Sequence, residues 1–234
     1  MIRVETDGDV RVVTLDRPDA RNALTPSGLD ALGAAVSEAE VSVVYLRGAG
    51  DAFCAGADRS VVADVAAGGD PEAFVGRGQQ AATAIETADA VVVAGVDGAA
   101  RGGGVELALA CDVRVATPDA TFGEPGVTFG LFGAWGGTVR LPEVVGTGHA
   151  LDLSLSGRVV DAAEAHRVGL VQRVVEEPRE VAEELAANDP SALRLIKQRL
   201  RDRAPRPEQE AAERAAFREL MDEHADELGA YREE

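Results

Sequence analysis

The stretch Gly98-Ala-Ala-Arg-Gly-Gly-Gly-Val-Glu-Leu-Ala-Leu-Ala-Cys-Asp112 decides the fold of this chain. It follows a run of small and β-branched residues, Ala90–Val96, whose length is typical of a buried strand. Three glycines, Gly102–Gly104, then lead into the apolar segment Val105–Ala110, which predicts a helix. Small residues leave backbone N–H groups bare at a helix N-terminus, so the turn has the composition of an oxyanion hole.

A second glycine-bearing loop, Asp51–Asp58, follows another predicted buried strand, Val41–Leu46. Neither loop contains the Gly-Lys-Ser/Thr sequence of a P-loop, and neither has the G-x-G-x-x-G spacing of a dinucleotide-binding fold. Ligands bind beyond the carboxyl ends of the strands in open α/β sheets. The two loops therefore predict a ligand site that uses backbone amides.

Glu106 lies three residues after Gly103, so it projects from about the same helix face as the exposed amide. A carboxylate beside two amides suits chemistry next to an acyl group. A glutamate in the first turn of a helix is also favoured by the helix dipole alone. The spacing by itself leaves both the catalytic and the structural interpretation open.

Strands and helices alternate over the first two thirds of the chain, which predicts an α/β core with parallel pairing. From Thr147 onward helical patterns dominate, and Glu208–Glu227 is amphipathic. The other predicted elements are an opening hairpin (Ile2–Glu5 and Val10–Leu15), helices over Thr25–Ser37 and Asp70–Thr87, and short strands at Val113–Ala116, Thr121–Phe122 and Leu170–Val175.

The composition is that of an ordinary globular chain, with 46% apolar and 27% charged residues, but the net charge is −18. No basic face is visible, which argues against nucleic acid as a partner. Lys197 is the only lysine. An acidic surface with almost no lysine fits a salty cytoplasm, where screening weakens self-repulsion. A GC-rich genome that favours Ala, Gly, Arg and Asp codons is the alternative explanation.

Two cysteines, Cys54 and Cys111, cannot build a disulfide framework, and a reducing compartment is expected. We predict that both pack in the interior. The first ten residues lack the features of a signal peptide, and no apolar run is long enough to span a bilayer. These patterns predict a cytoplasmic protein without a membrane segment. No metal-ligand constellation is visible in the sequence.

The chain resembles the crotonase superfamily, the enoyl-CoA hydratase/isomerase family. Its matching motifs occur in the family's order and run from residue 15 to about residue 175. They are Leu15–Leu24, Ala52–Asp58, Gly98–Asp112, Phe122–Pro125, Gly136–Pro142, and Ser156–Arg158 followed by Glu164-Ala165 and Gly169–Val171. The last sixty residues resemble the family only as a helical tail.

The resemblance implies a crotonase-like α/β spiral of ββα repeats over residues 1–175. It also implies a helical C-terminal region over residues 176–234 that serves trimerisation, with trimers paired into hexamers. The family binds acyl-CoA thioesters as substrates, with no other cofactor, and stabilises the enolate with two backbone amides. By motif position those amides belong to Ala57 and Gly103, and Glu106 occupies the position of one catalytic glutamate.

The second family glutamate is missing, because Gly126 stands in its place after Pro125. One carboxylate must then do both proton transfers, each worth roughly 10²–10⁴-fold in rate. Glu124 is the nearest alternative carboxylate, although the variable motif position it occupies predicts a side chain that faces elsewhere. Trp135 stands where the family carries a small residue, and we expect it to fill the space beside Gly126 or to be an ordinary core tryptophan. Restoring a glutamate at position 126 is then expected to raise hydration.

Coenzyme A carries several phosphate charges, so an acidic protein needs local cations. Arg17, Arg21 and Arg59 are the candidates, with a surface arginine that has no ligand as the alternative for each. The resemblance implies that backbone groups of Ala55, Gly56, Ala57 and Asp58 hold the adenine. Phe132, with Phe129, is a candidate for lining the acyl tunnel, whereas Phe53 is expected in the core.

Several reactions remain open at this point. A hydratase leads, and a crotonase-type hydrolase, decarboxylase or isomerase could use the same amides and Glu106. An acyl-CoA-binding paralogue without turnover is a third class, and the missing glutamate favours it. A serine peptidase on a related fold is disfavoured, because no serine lies in a nucleophile motif.

Overall fold

The computed structural model describes residues 1–230. Ten strands lie in this part of the chain: β1 (Ile2–Asp7), β2 (Val10–Leu15), β3 (Val43–Gly48), β4 (Ala52–Cys54), β5 (Val91–Val96), β6 (Ala99–Arg101), β7 (Val113–Ala116), β8 (Thr121–Gly123), β9 (Val159–Asp161) and β10 (Arg173–Val174). The α-helices are α1 (Pro26–Ser37), α2 (Arg59–Ala66), α3 (Pro71–Thr87), α4 (Gly103–Ala110), α5 (Gly137–Ser156), α6 (Ala162–Arg167), α7 (Pro178–Ala186), α8 (Pro190–Arg201), α9 (Arg206–Glu223) and α10 (Ala225–Gly229). A short 3₁₀ helix spans Pro125–Phe129.

The strands form two sheets, and from β3 to β8 consecutive strands alternate between them. The larger sheet has the order β1-β2-β3-β5-β7-β10, and the smaller one has the order β4-β6-β8-β9. In the larger sheet only the opening hairpin of β1 and β2 is antiparallel, and the other neighbours are parallel. After the opening hairpin, the strand pairs β3–β4, β5–β6 and β7–β8 each place one strand in each sheet before a helix follows, which confirms the predicted spiral of ββα repeats.

Two long helices begin where the sequence predicts, because capping side chains satisfy their first backbone N–H groups. The Thr25 hydroxyl accepts a hydrogen bond from the Gly28 N–H at 3.3 Å, and proline follows at the first helical position. Asp70 accepts from the Ala73 N–H at 3.0 Å, again with proline next. Such a cap contributes about 1 kcal/mol to stability. Both predicted helices, Thr25–Ser37 and Asp70–Thr87, are confirmed.

The predicted strand Val41–Leu46 is shifted by two residues, and the predicted loop Asp51–Asp58 contains β4. β6 and the helix α2 were not predicted. β4 and β6 have three residues each, so they are too short to show a period, and their pairing with each other forms only in the spiral. The amphipathic segment Glu208–Glu227 is interrupted at His224, between α9 and α10.

The core lies between the sheets and the helices that follow them. Every residue of β5 is buried, as a parallel strand covered on both faces requires. Asp112 accepts a hydrogen bond from the Val92 N–H at 2.7 Å and so ties α4 to β5. Phe53, Cys54 and Cys111 are buried, which confirms that they pack in the interior.

The chain divides into two compact units, residues 1–186 and residues 187–234. The first contains both sheets and α1–α7. The second, as far as residue 230, contains α8–α10. The predicted helical region from residue 176 thus includes one helix, α7, that belongs to the first unit. Residues 231–234 of that region lie outside the described residues.

Candidate active site

The loop before α2 lies directly against the N-terminus of α4. A Cβ added to Gly56 would lie 2.7 Å from the Arg101 carbonyl oxygen and 2.8 Å from the Gly103 nitrogen. Gly56 also has a φ of +85°, a conformation that favours glycine. The nitrogen of Ala57 is bonded to the carbonyl carbon of Gly56. The amides of Ala57 and Gly103 are therefore neighbours in space.

Pairing with Leu24 orients this loop. The Leu24 N–H donates to the Gly56 carbonyl at 2.8 Å, and the Asp58 N–H donates to the Leu24 carbonyl at 2.9 Å. Backbone groups of successive residues in extended chain point to opposite sides, so the N–H of Ala57 points away from Leu24. Within residues 1–230 neither the Ala57 N–H nor the Gly103 N–H donates a hydrogen bond. Two adjacent, unpaired amides are the donors that an oxyanion hole requires.

Glu106 lies one helical turn into α4 and is 2% exposed. Its Oε1 accepts a hydrogen bond from the Gly137 N–H at 2.7 Å, and the backbone N–H of Trp135 also donates to the carboxylate. A Cβ on Gly133 would lie 2.8 Å from the Glu106 Cδ, and one on Gly137 would lie 2.8 Å from Oε1. The segment Gly133–Gly137 thus wraps the carboxylate and fixes its orientation.

Burial raises the pKa of Glu106 to about 6, while the two N–H donors and the Arg140 charge oppose the rise. The group is thus mostly ionised at neutral pH and close enough to its pKa to exchange a proton. No group of three His, Cys, Asp or Glu side chains within residues 1–230 is placed to hold a metal ion.

Glu124 is also buried, being 8% exposed, and its Oε1 has no hydrogen-bond partner. It borders a small cavity whose other lining residues are uncharged: Val105, Phe122, Gly123, Leu141, Leu153, Val160 and Leu170. Burial, followed by the charge of Glu106, raises the pKa of Glu124 to about 8. The protonated form of Glu124 therefore accompanies the ionised form of Glu106 at neutral pH.

The expectation that Trp135 fills the space beside Gly126 is wrong. A Cβ on Gly126 would lie 2.9 Å from the Leu131 carbonyl oxygen and 2.9 Å from the Phe132 Cα, so the chain itself closes that space. Trp135 is 3% exposed, and its ring lies on Gly103 instead. A glutamate at position 126 would have to displace this backbone, so the expected gain in hydration does not follow from a free space there.

Arg17 and Asp58 are engaged with each other. The Arg17 guanidinium donates to the Asp58 carboxylate and to the Ala23 carbonyl, the latter at 3.2 Å. Hydrogen bonds from Ser60 and from Arg17 lower the pKa of Asp58 to about 2. Asp58 caps α2 through the Ser60 N–H at 2.9 Å, and its own N–H is used by Leu24. Both side chains thus have partners within the protein, and a contact with phosphate or adenine would have to compete with those partners.

Arg21 and Arg59 are exposed, and their side chains have no hydrogen-bond or ion-pair partner among residues 1–230. Arg21 carries a positive φ of 49°, and its carbonyl accepts from the Ala55 N–H at 2.9 Å. The charge of Arg21, after burial, lowers the pKa of Arg101. The candidate cations Arg21 and Arg59 therefore remain available for an anionic ligand beside the amide loop.

Sequence reasoning missed the residues that hold Glu106. Gly133 and Gly137 pack on its carboxylate, and Arg140, which pairs with Glu86 at 2.6 Å, anchors the same segment through the Trp135 carbonyl at 3.3 Å. The available signal was the glycine pair Gly136-Gly137 at the start of α5. Phe132 is 71% exposed and Phe129 is 66% exposed, so in this chain alone neither lines an enclosed tunnel.

The model of the family described as "Enoyl-CoA hydratase/isomerase" matches residues 5–234. The chain belongs to the enoyl-CoA hydratase/isomerase family. Among its relatives in this family, the short-chain-enoyl-CoA hydratase of Clostridium acetobutylicum is 37% identical over 211 residues, which cover 83% of this chain and 78% of the relative.

Solved structures of similar proteins agree with this family assignment. The crystal structure of the enoyl-CoA hydratase from Bacillus anthracis superposes with a TM-score of 0.89 at 32% identity, covering 99% of this chain and 96% of the other. A Thermobifida fusca protein solved in complex with acetoacetyl-CoA has a TM-score of 0.84 at 29% identity, with 95% of both chains covered. The crotonase-like fold predicted from the motifs is thereby confirmed.

Proposed function

We propose that this family member adds water to the double bond of a 2-enoyl-CoA thioester. The observation that carries the proposal is the position of the buried Glu106, one helical turn after Gly103, whose unpaired amide lies beside the unpaired amide of Ala57. The names of the hydratase relatives and the acetoacetyl-CoA complex of a structural neighbour support this substrate class.

In this mechanism the thioester oxygen accepts hydrogen bonds from the Ala57 and Gly103 amides. These bonds strengthen as the enolate develops, and one such donor is worth about 3–4 kcal/mol of transition-state stabilisation. Glu106 removes a proton from a water molecule, whose oxygen forms a bond to C3. Glu106 then returns the proton to C2, so the carboxylate is regenerated and atoms balance. The pKa of about 6 suits a group that both accepts and donates this proton.

The test is the loss of enoyl-thioester absorbance with crotonyl-CoA, measured in molar salt. Glu106→Gln keeps the shape of the side chain and removes its basicity, so kcat should fall by roughly 10²–10⁴-fold while the fold is retained. Full turnover of this variant would overturn the assignment of Glu106. Absence of turnover in the wild-type protein would overturn hydration itself.

A second candidate is another crotonase-type reaction, namely thioester hydrolysis, decarboxylation or isomerisation. It is favoured by Gly126, which leaves the position of the second family glutamate without a carboxylate. The same observation favours an acyl-CoA-binding paralogue with impaired turnover. A panel of 3-enoyl-, malonyl-type and 3-hydroxyacyl-CoA substrates separates these possibilities, because each class predicts a different product.

We also propose a homo-oligomer, a trimer or hexamer, that works in a salty cytoplasm. Large exposed apolar residues, including Leu155 at 69% and Leu200 at 81%, support an interface between copies. The net charge of −18 supports the saline setting. None of the helices described in residues 1–230 is long and apolar enough to cross a membrane. Sedimentation in low and molar salt tests both the assembly and its salt dependence.

A further inference from the structure

The indole of Trp135 lies between the helix α3 and the N-terminus of α4. A Cβ added to Gly103 would overlap the six-membered part of the ring, and a Cβ added to Gly78 in α3 would overlap the five-membered part. Phe74, one turn earlier in α3, meets the indole edge-on with ring centroids 6.0 Å apart and planes at 64°. The ring therefore fills the space between α3 and the N-terminus of α4.

The backbone around this ring is held at several points. The Gln79 side chain donates to the Ala134 carbonyl at 3.0 Å, and Arg140 donates to the Trp135 carbonyl at 3.3 Å. Arg140 is itself paired with Glu86 at 2.6 Å. The backbone N–H of Trp135 donates to the Glu106 carboxylate. The Trp135 ring and the backbone N–H groups that hold the Glu106 carboxylate thus belong to one fixed segment, Gly133–Gly137.

The course of an acyl chain follows from these positions. When the thioester oxygen binds the Gly103 N–H and C3 lies beside Glu106, the residues next to C4 and the later carbons include those that pack on Glu106, which belong to the segment Gly133–Gly137. That segment contains Trp135, and the ring already occupies the space over Gly103. With 3% exposure, the indole leaves no open channel beside itself.

We propose that Trp135 closes the acyl pocket behind Gly103 and restricts the protein to short-chain acyl thioesters. This inference rests on the proposed function, in which Gly103 and Glu106 bind the thioester. Trp135 is then a specificity-determining residue. Because one methylene in a hydrophobic pocket changes discrimination by about tenfold or more, a ring-sized wall can separate short from long chains strongly.

Trp135 is the only tryptophan, so its emission reports directly on the acyl end of a ligand. Saturated acyl-CoAs serve as probes because they bind without reacting. We expect butyryl-CoA to change the emission, CoA without an acyl group to leave it unchanged, and octanoyl-CoA to bind at least about tenfold more weakly than butyryl-CoA. Equal affinity for the two acyl-CoAs, or unchanged emission with bound butyryl-CoA, would overturn the proposal.

The same two ligands are then titrated calorimetrically into Trp135→Ala and Trp135→Phe. Alanine opens the wall, so octanoyl-CoA should gain about tenfold or more relative to butyryl-CoA, and phenylalanine should give an intermediate ratio. The indole N–H donates no hydrogen bond within the described residues, so these variants lose volume rather than a bond. If the alanine variant does not fold, the phenylalanine variant and the wild-type titration still decide the matter.

Leu141→Ala is the matched control. Leu141 is 2% exposed and lines the separate cavity beside Glu124, so the change removes buried volume without touching Gly103. It should lower stability but keep the wild-type ratio of the two affinities. An unchanged ratio in folded Trp135→Ala would refute the wall. If the binding pattern is as expected but crotonyl-CoA is not hydrated, the wall stands and only the reaction assignment fails.

Discussion

The N–H of Gly137 donates a hydrogen bond of 2.7 Å to Oε1 of Glu106, and the Cα of the same glycine leaves no room for a side chain against that carboxylate. The first residue of α5 therefore orients a carboxylate that is carried by α4. This contact joins residues 31 positions apart and depends on the absence of a Cβ.

Gly137→Ala is predicted to impair catalysis through this contact. Its Cβ would lie 2.8 Å from Oε1 and would push the carboxylate from its position. A displacement of about 1 Å can cost on the order of 10²-fold in rate, so kcat should fall by that order while KM changes little. Gly148→Ala, in the same helix with nothing within 4 Å of the added Cβ, is the control and should keep full activity. Equal activity in both variants would contradict the role of Gly137.

Gly56→Ala is predicted to disrupt the amide pair. The added Cβ would lie 2.8 Å from the Gly103 nitrogen, and the φ of +85° adds backbone strain. Gly130→Ala carries a similar strain, with a φ of +74°, but its Cβ meets nothing within 4 Å. Steady-state kinetics should show a loss of kcat/KM of roughly 10²–10³-fold for Gly56→Ala, beyond any loss in Gly130→Ala. Matching losses would show that strain alone is responsible.

The pH dependence of turnover should follow Glu106. The ionised carboxylate is the base, and burial places its pKa at about 6. The rate should therefore rise with pH up to about 6 and level off above it. Measuring kcat/KM for crotonyl-CoA against pH tests this, because a profile that is flat between pH 5 and pH 7 would show that another group carries the proton.

Glu124 should make the protein less stable as pH rises. Its pKa is about 8 in the folded state and about 4.5 without burial, so between these values the folded state holds a proton that the unfolded state has lost. The free energy of unfolding should then fall with a slope of about 1.4 kcal/mol per pH unit from this group alone. The stabilising effect is present below pH 4.5 and is lost by pH 8.

Urea unfolding at several pH values measures that slope in the wild-type protein and in Glu124→Gln. The glutamine cannot ionise. The free energy of unfolding of this variant should therefore change less steeply with pH, by about 1.4 kcal/mol per pH unit between pH 5 and pH 8. Glu213→Gln, an exposed change on α9, controls for the lost charge and should keep the wild-type slope. Identical slopes in wild type and Glu124→Gln would show that Glu124 is ionised in the folded protein.

Local patterns in the sequence were sufficient for much of the fold. Thr25 and Asp70 predict helix starts because a cap needs only neighbouring residues. The run of small and β-branched residues at Ala90–Val96 predicts a buried strand, and the glycines before Glu106 predict bare amides at a helix N-terminus. These features depend on residues a few positions apart, so the sequence by itself determined them.

Only the tertiary structure decided which groups meet. Trp135 lies on Gly103 rather than beside Gly126, and Arg17 is paired with Asp58 rather than left for a ligand. These partners come together because the spiral brings separate repeats into contact, and no local period records that approach. Burial of Glu124, and with it the raised pKa, has the same origin, since desolvation depends on every segment that covers a side chain.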